Sequence, residues 1–260
     1  LKIIVINSSG RKNGNTARLA AVLEEKLTLI AEKKGAELKI RRVELFDVNI
    51  LPCRGCRACF DRGEEFCPLK DPVLALKDEI AQSDGLVLMS PVYVEDVNGV
   101  MKTWIDRMAF LCHRPAFYGR CALVLTTSGG GASSRSLHTM KNALGSWGFH
   151  IAAMQNFKMG AKTDAAALKR LSPAVERTAS SFVAATAEGR AKKPSFFSLL
   201  AFRMQQLYHR RGLAGQKDRD YWESRGWLAP GAHYYLPVNT GLVRLAAAAV
   251  LGGLAARFFM

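Results

Sequence analysis

The sequence predicts an α/β protein: a five-stranded parallel sheet covered by helices on both faces, followed by a shorter extension of different composition. Three observations predict it. From the first residue to about residue 190, short β-branched and aliphatic runs alternate with longer runs at helical spacing. The strand-like runs are almost wholly apolar, as in strands buried on both faces. The chain has 260 residues, 49% of them hydrophobic, so a core can form without cross-links.

The elements follow in order. Residues 3–6 are a β-branched run that ends in the loop NSSGRKNGNT. Residues 16–34 place Leu19, Val22, Leu23, Leu27 and Ile30 on one helical face, and Gly35 punctuates them. Residues 38–45 alternate and form a second strand. Residues 51–68 form a cysteine-rich loop. Residues 72–82 are a helix, with Asp71 as N-cap and Pro72 at its first position. GLVLMS at 85–90 is a third buried strand and 97–111 a helix. CALVLTT at 121–127 is a fourth strand, and the loop SGGGASS leads into a helix over 134–147. Residues 150–157 are a fifth strand and 164–188 a long amphipathic helix. A first strand running straight into a Gly/Ser loop selects the flavodoxin-like strand order 2-1-3-4-5, whose ligands sit at the carboxyl ends of the central strands.

The composition changes after Gly189, where RAKKP is a linker-like break. Residues 191–260 form a basic, partly helical extension with ten Lys and Arg against three Asp and Glu. Aromatic residues cluster at Tyr221, Trp222, Trp227, Tyr234 and Tyr235. The apolar run between Arg244 and Arg257 is twelve residues, where a spanning helix needs about 20. Packing on the body or on a second subunit is the expectation, with contact at a membrane surface as the alternative. The net charge of +15 favours anionic partners without choosing among them. No secretory pattern precedes the first strand, so the expected location is cytoplasmic, and clustered cysteines there read as metal-binding or redox groups rather than disulfides.

Three unusual loops fall after strands one, three and four, which a doubly wound sheet brings to one rim. The first offers donors at a helix N-terminus: Ser8, Ser9, Asn15 and Thr16, with Arg11 adding charge. Such a loop suits a phosphate. The second is Ser90-Pro91-Val92-Tyr93-Val94-Glu95-Asp96, with a fixed backbone at Pro91 and an aromatic face at Tyr93. The third, running through Ser128, Gly129, Gly130 and Gly131, lets a flat ligand approach the backbone. A phosphate end beside a planar end fits flavin mononucleotide (FMN).

The opening NSSGRKNGNT, the segment SPVYVEDVNGVMKTWIDR and the loop TTSGGG, in that order, resemble the NADPH-dependent FMN reductase family over roughly residues 1–188. The resemblance implies FMN held by Ser8, Ser9, Arg11, Asn13, Asn15, Thr16, Pro91, Val92, Tyr93 and Ser128 to Gly131. It implies NAD(P)H or a ferredoxin-like carrier as redox partner, and a dimer or tetramer.

The loop 51–68 carries Cys53, Cys56, Cys59 and Cys67 as C-x2-C-x2-C-x7-C. The first two intervals are those of ferredoxin ligand sets, the last is longer, and Cys67-Pro68 repeats a ferredoxin ending. Within the family this loop resembles that of the iron–sulfur flavoproteins, which implies a [4Fe–4S] cluster on the four thiols. Free redox thiols and zinc stay open on the residues alone. Arg54, Arg57 and Arg62 would offset the cluster's negative charge. Cys121 reads as a core residue and Cys112 as packing. Lys102 and Asp106 are spaced to pair, and Arg107 is placed at a subunit boundary. The leading function is an FMN-dependent oxidoreductase that passes electrons between FMN and the cluster. The alternatives are a metal-free FMN or quinone reductase, and a basic protein that binds nucleic acid or a membrane surface. No nucleic-acid-binding motif supports the last.

Overall fold

A computed structural model of the chain describes residues 1–131, 133–160, 165–188, 194–237 and 240–259. It divides into two compact units, one of Leu1–Arg54 with Leu69–Arg190, the other of Gly55–Pro68 with Ala191–Met260. Most of the linker-like RAKKP and the expected helix start at Asp164 lie outside the described residues.

The first unit alternates β1 (Lys2–Asn7), α1 (Asn15–Lys33), β2 (Lys39–Glu44), α2 (Val73–Ala81), β3 (Gly85–Tyr93), α3 (Gly99–Arg107), β4 (Cys121–Ser128), α4 (Ser134–Ser146), β5 (His150–Lys158) and α5 (Ala165–Ala187). The five strands pair in parallel in the order β2-β1-β3-β4-β5. This is the expected flavodoxin-like arrangement. One sheet face carries Ile3, Val5, Val87, Met89, Leu123 and Leu125, packed with Leu19, Leu23 and Leu27 of α1 and Phe182 of α5. Each fully buried leucine contributes about 1.5–3 kcal/mol. Ile4, Ile6, Leu86 and Leu88 alternate to the opposite face and are equally buried. Gly85 permits close packing of α5, since a Cβ there would lie 2.7 Å from the Phe182 ring.

The outer strand β2 is charged rather than apolar. Arg42 reaches the Glu24 carboxylate of α1 with two donors, each at 2.6 Å. Arg41 pairs with Glu79 of α2 at 2.9 Å. The Glu24 partner holds the Arg42 guanidinium above its ordinary pKa.

Several local expectations change. The third strand does not stop at Ser90. Pairing with β4 continues to Pro91↔Thr127, and Val92 and Tyr93 then pair antiparallel with the two-residue strand Asp96–Val97. Pro91, Val92 and Tyr93 are therefore strand, not loop. The helix expected from residue 97 starts at Gly99, because Asn98 takes the cap position and accepts from Met101 N at 3.3 Å. It ends at Arg107 and is followed by a short 3-10 turn, Ala109–Cys112. Pro72, not Asp71, holds the cap position of α2, although Asp71 Oδ1 still accepts from Val73 N at 3.2 Å. The Asp71 carboxylate also takes both terminal nitrogens of Arg107, and Arg107 Nη1 donates to Leu51 O at 3.0 Å. Arg107 is thus buried inside this unit instead of standing at a subunit boundary. Lys102 and Asp106 do pair, at 2.6 Å. Cys121 is buried, with Sγ 3.3 Å from Ala185 O. Cys112 is half-buried, 3.3 Å from Ser146 Oγ.

The second unit joins a one-turn helix, Ala58–Asp61, to α6 (Phe196–Arg210), α7 (Gln216–Ser224) and α8 (Leu242–Phe259). Its core is aromatic. Trp222 stacks on His209 at 4.5 Å and meets Trp227 edge-on at 5.1 Å, and Phe202 lies 4.9 Å from Tyr235. Gln206 is fully buried, and its Nε2 donates to Trp227 O at 2.7 Å and Ala232 O at 2.9 Å. Helix α8 is close enough to α6 that a Cβ at Gly252 would lie 2.8 Å from Arg203 Cγ. Among the described residues no helix is long and apolar enough to cross a membrane.

Candidate functional site

The loops after β1, β3 and β4 meet at the carboxyl edge of the sheet, and hydrogen bonds tie them together. Ser8 N donates to Met89 O at 3.0 Å, and Ser8 Oγ donates to the same carbonyl at 3.2 Å. Asn98 Nδ2 donates to Ser8 O at 2.5 Å, while Asn98 Oδ1 accepts from Ser90 Oγ at 3.4 Å. Thr16 Oγ1 and Thr127 Oγ1 lie 2.8 Å apart, both buried. Asn98 thus fastens the first loop to the third strand, and Thr127 fastens the first helix to the fourth.

The expected donors do not all face outward. The Ser8 hydroxyl is spent on Met89 O and braces the sheet. Asn15 Nδ2 donates to Gly160 O at 3.1 Å, at the start of the loop after β5. Ser9 Oγ accepts from Arg11 N at 3.3 Å, which turns the loop and leaves the hydroxyl proton to donate elsewhere. Arg11 and Asn13 are exposed, and Thr16 is buried at the second position of α1. No side chain caps α1, whose cap residue is Gly14. Its first N–H groups have no intrahelical acceptor, so the positive end of a 19-residue helix faces the loop.

At the other end of the rim, Ser128 is buried and Gly129, Gly130 and Gly131 are exposed. Among the described residues, a Cβ on any of the three glycines would meet nothing within 4 Å, so the backbone is open to a flat group. Gly130 has φ 151°, which favours glycine. Ser128 Oγ accepts from Asn156 Nδ2 at 3.2 Å, and Asn156 Oδ1 accepts from Thr126 Oγ1 at 2.9 Å. Tyr93 is exposed at the tip of the β3 hairpin. There Val94 and Glu95 adopt φ 49° and 64° in succession, a left-handed two-residue turn built without glycine. The Phe46 ring lies over Gly10, 3.0 Å from where a Cβ would stand. Asn98, Thr127 and Asn156 were not singled out from the sequence. Only Asn98 carried a local signal, an Asn three residues before a helical apolar position.

A hydroxyl and an uncapped helix end at one side, and open backbone with an exposed aromatic at the other, match a phosphate joined to a planar ring. No carboxylate lies within residues 8–16 or 128–131 to repel the phosphate. The donor set fits FMN.

The cysteine loop is arranged differently. Cys53 and Cys56 are exposed, and Cys59 and Cys67 half-buried. Among the described residues no three His, Cys, Asp or Glu side chains gather closely enough to hold a metal ion. The thiols as placed do not form a cluster's ligand set. Two of the expected arginines have other partners: Arg57 pairs with Asp61 at 3.2 Å, and Arg62 lies 4.3 Å over the Phe66 ring.

Residues 1–164 match the family profile of the NADPH-dependent FMN reductases. This chain belongs to that family. An iron–sulfur flavoprotein of Archaeoglobus fulgidus is 34% identical over 150 residues, 57% of this chain and 64% of that protein. One of Clostridioides difficile is 29% identical over 158 residues, 61% and 68% of the two chains. One of Methanocaldococcus jannaschii is 36% identical over 107 residues, 41% and 51%. This FMN reductase family member therefore spans between half and about two thirds of the length of these three relatives. In fold it is similar to RosB, solved with 8-demethyl-8-formylriboflavin-5'-phosphate, with TM-score 0.56 and 14% identity over 93% of this chain and 92% of that one. An oxidoreductase from Corynebacterium diphtheriae is similar too, with TM-score 0.56 and 16% identity over 72% and 97%.

Proposed function

We propose that this protein is an NAD(P)H-dependent FMN oxidoreductase with its flavin on the carboxyl rim of the sheet. The observation that carries the reading is the hydrogen-bonded convergence of three loops around an uncapped helix N-terminus. Ser9, Thr16 and the first N–H groups of α1 hold the phosphate, and Arg11 adds charge from the solvent side. Pro91, Val92 and Tyr93 border one side of the ring, and Ser128 to Gly131 the other. When bound, FMN supplies the hydride and single-electron chemistry. The protein's own work is positional. Asn98 and Thr127 fix the spacing of the loops, Asn156 orients the Ser128 hydroxyl, and the open glycines leave one ring edge accessible to a nicotinamide or another acceptor.

The C-x2-C-x2-C-x7-C loop is the proposed seat of a [4Fe–4S] cluster. Its spacing and the names of the curated relatives support this. The present arrangement of the thiols does not, so the loop would have to close around the metal. A ferredoxin-like partner, a homo-oligomeric state and a cytoplasmic location belong to the same proposal.

Anaerobically purified protein, heat-denatured and assayed for released flavin and for iron, tests the reading. One FMN per chain is expected. Cys53→Ser is expected to lose any iron while keeping FMN. Absence of a releasable flavin after reconstitution with FMN ends the flavin proposal. Flavin without iron ends only the cluster.

A further inference from the structure

The C-terminal unit holds a cavity of about 210 Å³ between α6, α8 and the segment around Pro230. It exceeds the ~150 Å³ cavity known to take benzene, and falls below the ~300 Å³ of drug-sized sites. Leu199, Phe202, Leu245 and Ala248 give it apolar walls, and its polar lining is the neutral Gln206 with three cationic or cation-capable side chains, Arg203, Arg210 and His233. No carboxylate is among the described residues that line it.

The arginines are held in place. Gln206 is locked by its two backbone acceptors, and its Oε1 receives Arg203 Nη1 at 2.5 Å. Arg210 donates to Leu228 O and Ala229 O at 2.8–3.1 Å. Arg203 Nε is buried and has no hydrogen-bond partner among the described residues. A buried donor without an acceptor is costly. A second guanidinium nearby increases the cost, and burial together with the charge of Arg210 lowers the Arg203 pKa. An anionic acceptor between these groups removes both penalties.

We infer that this cavity binds a small amphiphilic carboxylate, with its apolar body against Leu199, Phe202 and Leu245 and its carboxylate at Arg203. Binding requires both parts of the ligand. Acetate lacks the body, and a neutral alcohol lacks the charge. The residues that line the site all belong to the C-terminal unit.

The test uses 4-fluorobenzoate and the full chain, with fluorine NMR reading the bound fraction. Saturable binding is expected, weakened about tenfold or more by Arg203→Met, which removes a charge-assisted hydrogen bond. The neutral 4-fluorobenzyl alcohol is expected to bind at least tenfold more weakly, and acetate is expected not to displace the probe at equal concentration. Equal binding of acid and alcohol, or no saturable binding, overturns the inference. Should Arg203→Met fail to fold, Ala249→Phe at the cavity wall keeps both arginines and must abolish binding. Undiminished binding in that variant overturns the inference equally.

Discussion

Removing the Asn98 side chain with Asn98→Ala tests how the rim is built. Asn98 is buried, caps α3 through Met101 N and donates to Ser8 O. Loss of the cap costs about 1 kcal/mol. Leaving the Ser8 carbonyl without that donor in a buried position costs about 1–3 kcal/mol more. The expected loss of stability in urea is therefore roughly 2–4 kcal/mol for the FMN-free protein. The loop that would hold the phosphate loses its tie to β3. If about 1.4 kcal/mol of the penalty falls on the bound conformation, the FMN Kd rises about tenfold. Flavin fluorescence quenching on titration measures it. Asn98→Asp separates the two roles, because it keeps an acceptor for Met101 N but loses the donor to Ser8 O. It is expected to weaken FMN as much as the alanine does. A variant that is destabilised yet binds FMN with unchanged affinity refutes the view that Asn98 braces the rim.

Three further outcomes are expected. Val94→Gly relieves a β-branched residue at φ 49° on a fully solvated tip and should raise stability by about 1 kcal/mol, read as an increased urea midpoint. Asp71→Ala strands Arg107, whose side chain is 4% exposed, and should cost about 3–5 kcal/mol; a loss under 1 kcal/mol contradicts the buried pair. Burial, with smaller contributions from Tyr234 and Tyr221, holds the Tyr235 phenol above its ordinary pKa. A raised phenol favours the neutral form in the folded state. Stability is thus full below about pH 10 and falls as pH rises beyond it. Urea midpoints between pH 8 and 11 should show this decline in the native protein and a shallower one in Tyr235→Phe.

The order of elements was legible because the first unit is locally consistent. Ile3 to Ile6 is strand-like in composition as well as in burial, and the apolar stripe from Leu19 to Ile30 lies on the buried side of α1. The loops after the first and fourth strands were legible for the same reason: Gly, Ser and Asn have few roles between a buried strand and a helix. What failed to show was anything decided by a partner distant in sequence. Arg107 looks like a surface cation until Asp71, 36 positions away, is brought against it. Pro91 to Tyr93 look like a turn until Thr127 and Val97 supply strand partners. The Thr16–Thr127 pair spans 111 positions and carries no local signature. The tail's aromatics were visible as a cluster, but their packing around Gln206 and His209 was not. Those two polar side chains enter the core only because backbone carbonyls and a stacked ring compensate for their burial.

The charged outer strand has a consequence for the protein's behaviour in a crowded solution. β2 lies at the end of the sheet order and offers one row of backbone groups to any passing chain. Lys39, Arg41 and Arg42 stand along that row within a six-residue strand. A second copy docking edge to edge would bring like cations close to one another. The apolar sheet can therefore end in open water without recruiting copies of itself into aggregates.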